Sequence, residues 1–160
     1  MGIWYIKPMT DSPARFTLLD ANWKDLGSLR QIEKECFGDD AWPLIDLIAV
    51  LTFPGIVRIK AVVSGEMVGF ISGDGSRDIS TGWITSVGVL EKYRRMGIAN
   101  ALLDACEARL PNRQIKLTVR KSNQSAINLY RKTGYIQTEL WERYYQDGES
   151  GIVMLKVRPI

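Results

Sequence analysis

Hydrophobic positions along this chain change their spacing repeatedly, and each change marks the end of one element and the start of another. Residues 15–21, RFTLLDA, alternate well enough for a strand. Asn22 then offers an N-cap for a helix through Phe37, with Leu26, Leu29, Ile32 and Cys36 on one face and Gly38-Asp39-Asp40 as its end. A second, mostly apolar helix is predicted over 43–51, with Pro43 at its first position. The period then falls to two. IVRIKAVV (56–63) and MVGFISGD (67–74) flank Ser64-Gly65-Glu66, a hairpin signal, and GWITSVGVL (82–90) follows as a third strand. Ile98, Leu102, Ala105, Cys106 and Leu110 restore a helical period over 97–109, until Pro111-Asn112 breaks it. QIKLTV (114–119) reads as a strand and 123–134 as a helix, with Asn123 near its start and Gly134 closing it. Residues 135–145 and 151–157 read as two strands around the turn QDGES.

The order β-α-α-β-β-β-α-β-α-β-β predicts an α+β (mixed α/β) fold. A mostly antiparallel sheet of about seven strands is flanked by about four helices, with one strand–helix–strand crossover after a meander. Residues 1–13 read as a loosely held N-terminal arm and 14–160 as a single domain, long enough to bury a core without staples.

Composition removes several function classes. Apolar residues make up 46% and charged residues 24%, with a formal net charge of +3, an ordinary globular balance that suits an anionic small ligand or an acidic surface better than a nucleic acid. No apolar run approaches a membrane span, and the residues MGIWYIKPMTDS do not read as a secretory signal. Cys36 and Cys106 fall inside helical patterns and read as buried thiols of a reducing compartment, which predicts a cytoplasmic protein with neither disulfide nor metal site. The chain has no histidine, so Ser-His-Asp and Cys-His nucleophile systems and His-based metal sites are excluded.

One corner carries chemistry. In SVGVLEKYRRMGIANALL (86–103) an apolar strand gives way to Arg94-Arg95, then Gly97, then a helix. A helix N-terminus exposes unpaired amides and the positive end of its dipole, which suits phosphate. Gly97 permits a tight turn, Ala99 is small, and two arginines add charge with bidentate geometry. The spacing is neither G-x-x-x-x-G-K-[ST] nor G-x-G-x-x-G, so the corner reads as a main-chain pyrophosphate cradle of another type.

RRMGIA resembles the [Q/R]-x-x-G-x-[G/A] signature of the GNAT (Gcn5-related) N-acetyltransferase superfamily, with Arg94, Gly97 and Ala99 at the signature positions. LTVRKSNQSAINLYRKTGY (117–135) resembles that family's Asn-x-x-Ala-x-x-x-Tyr-x-x-x-Gly-[Phe/Tyr] segment, and VGFISG (68–73) its hairpin strand. The tail ERYYQDGESGIVMLK (142–156) looks like the end of the ribosomal-protein alanine and other N-terminal acetyltransferases. The resemblance implies the GNAT fold, acetyl-CoA as donor, and a protein or peptide N-terminus as acceptor. It also implies direct transfer without an acyl-enzyme, and a monomer or homodimer that uses no metal. It places main chain of Val87, Gly88 and Val89 along the pantetheine and acetyl group, and Arg94, Arg95, Met96, Gly97, Ile98, Ala99 and Asn100 at the pyrophosphate. Asn123 would hydrogen-bond the cofactor and Tyr130 would lie near its sulfur. Phe37 and Trp42 would wall the acceptor slot, and Tyr144 and Tyr145 would hold the acceptor's first residues.

Tyr130 is the candidate acid, because a phenol of pKa about 10 is protonated at neutral pH and can protonate a departing thiolate of pKa about 8.5. Backbone amides of residues 87–89 would steady the developing oxyanion, and the family's bulge in that strand is expected near Gly88. The family's basic Glu is replaced here by Thr118, which leaves Glu35, Asp39, Asp40 and Glu142 as substitutes by sequence. An α-amine is neutral for roughly a tenth of molecules at pH 7, far more than a lysine, and so tolerates a weak base. A small-molecule amine acceptor and a non-catalytic acyl-CoA-binding domain are the alternatives.

Overall fold

The computed structural model describes residues 15–159, so the arm expected at 1–13 lies outside the described residues. Seven strands form one sheet in the order β1-β2-β3-β4-β5-β7-β6. They are β1 (Thr17–Asp20), β2 (Ile56–Val63), β3 (Glu66–Asp74), β4 (Thr81–Val89), β5 (Gln114–Arg120), β6 (Ile136–Trp141) and β7 (Gly151–Val157). Among the described residues four α-helices complete it: α1 (Leu26–Phe37), α2 (Leu44–Thr52), α3 (Ile98–Arg109) and α4 (Gln124–Lys132). Element types and order agree with the sequence pattern.

β1 to β4 are antiparallel, and β4 pairs in parallel with β5 through the α3 crossover. β7 returns antiparallel beside β5, and β6 closes the far edge. The alternation of β5 sorts its two faces. Ile115, Leu117 and Val119 are buried, while Lys116, Thr118 and Arg120 are half-exposed on the other side. One face of the sheet carries α3, whose Ile98, Leu102, Leu103 and Cys106 are essentially inaccessible. Burying each such aliphatic side chain is worth about 1.5–3 kcal/mol. The opposite face carries α1 at β3 and β4.

Local signals explain the helix ends. Asn22 and Asp25 form a capping box over a short 3₁₀ turn that leads into α1: Asn22 Oδ1 accepts from the Lys24 amide and Asp25 Oδ2 from the Asn22 amide, at 3.0 and 2.8 Å. Pro43 precedes α2 as its N-cap and does not occupy the first helical position. A buried polar knot ties α3 to the rest: Tyr135 Oη donates to Glu107 Oε1 at 2.7 Å, and Lys156 Nζ to Glu107 Oε2 at 2.6 Å.

The predicted strand over 135–145 is corrected. β6 ends at Trp141. Arg143 adopts a left-handed φ of 52°, and the Gly148 amide donates to the Tyr145 carbonyl, so Tyr144 and Tyr145 belong to the turn before β7.

Candidate active site

The site is built where two parallel strands part. β4 pairs with β5 only over Thr81–Trp83 against Gln114–Lys116, yet β4 stays paired with β3 as far as Val89, and β5 with β7 as far as Arg120. Beyond Trp83, the β4 backbone groups that point away from β3 therefore have no ladder partner. Such an opening offers main-chain donors and acceptors to an extended ligand.

At its end β4 runs through one 3₁₀ turn (Glu91–Tyr93) to the corner before α3. Arg95 and Gly97 both take left-handed backbone, with φ of 62° and 81°. A Cβ at Gly97 would meet nothing within 4 Å, so glycine is demanded there by the turn and not by crowding. The first-turn amides of α3 have no acceptor inside the helix and carry the positive end of its dipole. Ile98 is buried and Met96 packs against the core, so this segment can present mainly its backbone to a ligand. Arg95 and Asn100 are exposed, and Ala99 is half-buried. Arg94 is turned back instead: its Nε donates to the Val89 carbonyl at 2.9 Å. The same carbonyl receives the Cys36 thiol at 3.5 Å. The end of β4 is thus pinned from both sides.

The bulge expected near Gly88 is corrected. Gly88 stays in register opposite Phe70. The extra residue is Thr85, between Ile84 opposite Gly73 and Ser86 opposite Ser72, and its hydroxyl lies 2.8 Å from that of Ser72. Gly88 has a different reason to lack a side chain. A Cβ there would come within 3.2 Å of Cys36 Sγ and 3.3 Å of Ile32 Cγ2, where α1 crosses the strand. Val87 is half-buried and Val89 buried beside it.

Tyr130 is buried on α4 and meets Tyr135 edge to face at 5.9 Å. Burial raises its pKa, with the nearby Tyr145 phenol adding to the rise, so it holds its proton at neutral pH. Asn123 uses its Oδ1 to cap α4, accepting from the Ala126 amide at 3.1 Å. That places the side chain at the helix start and leaves its amide nitrogen as the group available for a ligand.

Beside the opened end of β5 lies a cavity of about 600 Å³, lined by Phe37, Asp39, Asp40, Arg120, Gln146 and Asp147. Phe37, expected to wall an acceptor, lines this cavity. Trp42 is not with it. It lines a second cavity of about 340 Å³ with Asp46, Phe53, Asp74, Arg77 and Thr85 among others. Tyr145 lies with its ring 4.2 Å from the Arg120 guanidinium, next to the first cavity. Tyr144 is exposed and links a run of rings, 5.3 Å from Trp141 and 5.0 Å from Tyr145. Gly151 lets this turn settle on the sheet: a Cβ there would lie 2.9 Å from Thr118 Cγ2 and 3.0 Å from the Tyr144 ring.

A model of the acetyltransferase (GNAT) family matches residues 23–135, more than half of the chain. The chain belongs to the GNAT acetyltransferase family. It is 35% identical over 140 residues to an N-acetyltransferase of Methanocaldococcus jannaschii, covering 85% of this chain and 88% of that one. It is 31% identical over 160 residues to an N-alpha-acetyltransferase of Saccharolobus solfataricus, covering 91% and 95%. The crystal structure of the ribosomal-protein-S18-alanine N-acetyltransferase from Escherichia coli superimposes with a TM-score of 0.81 at 23% identity, over 91% and 95% of the two chains, which shows the shared fold. As a GNAT chain it is an acyltransferase.

The carboxylates sort themselves by place. Asp39 and Asp40 line the first cavity, and Asp40 is ion-paired with Arg120. Glu35 is hydrogen-bonded to Gln31 on the exposed side of α1, and Glu142 is exposed in the turn after β6. Glu33 was missed in the sequence. It is buried, accepts from Ser86 Oγ at 2.9 Å and from the Trp42 amide at 3.2 Å, and desolvation raises its pKa. Its signal was available: position 33 falls on the helix stripe of Leu29, Ile32 and Cys36, where a carboxylate must find partners. Cys106 is no nucleophile, since burial pushes its thiol up to about 12.

Proposed function

We propose that this acetyltransferase moves an acetyl group from acetyl-CoA directly to the N-terminal α-amine of a protein or peptide. The observation that carries the reading is the placement of the α3 corner and the 600 Å³ cavity at the opened ends of β4 and β5. The relative from Saccharolobus solfataricus, matched over nearly its whole length, supports the α-amine as acceptor.

Arg95 and the amides of Gly97 to Asn100 hold the diphosphate, and those backbone groups of residues 87–89 that face away from β3 and are not already bonded, as the Val89 carbonyl is, take the pantetheine arm. Asn123 adds a hydrogen bond from its amide nitrogen. Acetyl-CoA supplies a thioester whose carbonyl carbon accepts the amine. Backbone N–H groups of β4 steady the charge that develops on the carbonyl oxygen, a contribution of about 3 kcal/mol per donor. As the nitrogen–carbon bond forms and the carbon–sulfur bond breaks, Tyr130, which keeps its proton at neutral pH, donates a hydrogen bond to the departing thiolate. The thiol is the stronger acid, so Tyr130 passes its proton on only as the surplus proton of the acylated nitrogen, carried by solvent, replaces it. Phe37 and Tyr145 flank the acceptor, with Tyr144 at its outer edge. Thr118 takes up no proton, and an α-amine that is already partly neutral at pH 7 removes the need for a strong base. The expected cytoplasmic setting supplies both acetyl-CoA and free protein N-termini.

The test is a peptide carrying both a free α-amine and an internal lysine, incubated with acetyl-CoA and fragmented in a mass spectrometer. The acetyl group is expected on the α-amine. Acetylation confined to lysine, or turnover of polyamines and amino acids with none on peptides, would replace this acceptor class. Binding of acetyl-CoA with no turnover of any amine would favour a non-catalytic domain.

A further inference from the structure

Resting on the acceptor assignment above, we propose that Arg120 is a positioning residue for the acceptor: it latches the α1–α2 loop to the β6–β7 turn and sets the width of the slot between them. Arg120 is the last residue of β5, on the half-exposed face of the sheet, where β5 has already parted from β4. Its guanidinium reaches two segments distant in sequence. Nε donates to Asp40 Oδ2 at 2.6 Å, and Nη2 reaches the same oxygen at 2.5 Å. Nη1 donates to Asp147 Oδ2 at 2.9 Å and to Glu149 Oε2 at 2.6 Å. Glu149 is itself held through its other oxygen by the Ser122 amide at 2.7 Å. The Tyr145 ring covers the guanidinium.

The latched segments are the walls of the cavity. Phe37, Asp39 and Asp40 stand on one side, Gln146 and Asp147 on the other, and Arg120 between them. Three carboxylates converge on one cation, so removing that cation replaces attraction across the slot with repulsion. A planar fork that serves both walls and stacks on a ring is what arginine offers and lysine does not. Each pair is partly solvent-exposed and individually worth little. Their number and shared centre give the latch its effect.

Steady-state kinetics of R120Q and R120K with a peptide acceptor test the latch. R120Q is expected to raise the acceptor KM about tenfold while the acetyl-CoA KM stays within about twofold, with R120K between the two. Salt is expected to narrow the difference between wild type and R120Q. An unchanged acceptor KM, or an equal rise for both substrates, overturns the proposal. Amide hydrogen exchange gives a readout that does not depend on turnover: R120Q is expected to exchange faster in both 38–42 and 142–150 than wild type. If wild type acetylates no peptide, the acceptor assignment fails, and exchange alone then decides whether the two loops are latched. Should R120Q not fold, the D147N/E149Q variant frees only the β6–β7 turn. It is expected to show faster exchange there and a smaller rise in KM, and no change in either refutes the latch.

Discussion

Replacing Gly97 by alanine separates the cost of the turn from the loss of the ligand. Gly97 has φ +81° and open space around its missing Cβ, so no clash enters the calculation. A non-glycine residue in left-handed backbone costs about 1–2 kcal/mol. Alanine returns about 0.4–1 kcal/mol by stiffening the unfolded chain. The net loss is about 1 kcal/mol, which for a domain of this size lowers Tm by about 2–4 °C. Asparagine tolerates this conformation better, so G97N is expected between wild type and G97A in stability. Thermal unfolding followed by circular dichroism, with and without acetyl-CoA, reads both effects. Saturating ligand stabilises wild type by RT ln(1 + [L]/Kd), about 2.7 kcal/mol at a hundredfold excess over Kd. If the amides after Gly97 hold the diphosphate, the distorted corner binds about tenfold more weakly, and about 1.4 kcal/mol of that ligand-induced stabilisation disappears. A G97A protein with the wild-type Tm would refute the backbone argument. One that loses 1 kcal/mol but keeps the full ligand-induced shift would show that this corner does not bind the diphosphate.

Y130F is expected to lower kcat about a hundredfold or more with little change in acetyl-CoA affinity, read by thiol release and calorimetry, because it removes a proton donor and leaves the packing with Tyr135 in place. E107A strands the buried Tyr135 hydroxyl and the Lys156 ammonium, and is expected to cost about 3 kcal/mol, a Tm fall of about 6–12 °C by calorimetric scanning. Asp147 and Glu149 have pKa values below their ordinary 3.8 and 4.5, held down chiefly by the Glu149 amide in its own turn for Asp147 and by the Ser122 hydroxyl and amide, from the β5–α4 connection, for Glu149, and further by Arg120. Carboxylates depressed in the folded state stabilise it fully above their ordinary values and lose that contribution as pH falls through the depressed ones. The Ser122 and Glu149 amide resonances are therefore expected to hold steady from pH 7 to 5 and to move only below the ordinary values. Movement centred above them contradicts the arrangement. For Glu33, whose pKa burial raises, the sign reverses: stability falls as pH climbs from its ordinary 4.5 through the raised value. E33Q is expected to flatten that slope in pH-dependent thermal melts, and an unchanged slope counts against it.

Much of the architecture was legible because the hydrophobic period switches cleanly between two and 3.6 at capped boundaries such as Asn22, Asn123 and Gly134. The corner was legible because a helix N-terminus preceded by a glycine has a physical meaning independent of context. Tertiary facts were not. The run YIQTELWERYY is rich in strand-forming residues to its end, but Arg143 takes a left-handed turn, and local propensity cannot report that. Where β4 leaves β5 depends on pairing length, which no residue type encodes. The bulge follows a hydroxyl pair between Thr85 and Ser72 across two strands, not the flexibility of Gly88. Trp42 and Phe37 are close in sequence, yet the α1–α2 loop sends them to different cavities. Arg120 gathers partners between 27 and 80 residues away, a separation that hides the cluster from any window-based reading.

The central claim is that an opened β4 edge and the first turn of α3 together hold acetyl-CoA. Amide chemical-shift mapping during titration with acetyl-CoA tests it most directly. The largest, saturable shifts are expected at Val87 to Val89 and at Gly97 to Asn100, with Asn123 following. Saturable binding that leaves those amides unmoved and shifts another surface would contradict the account.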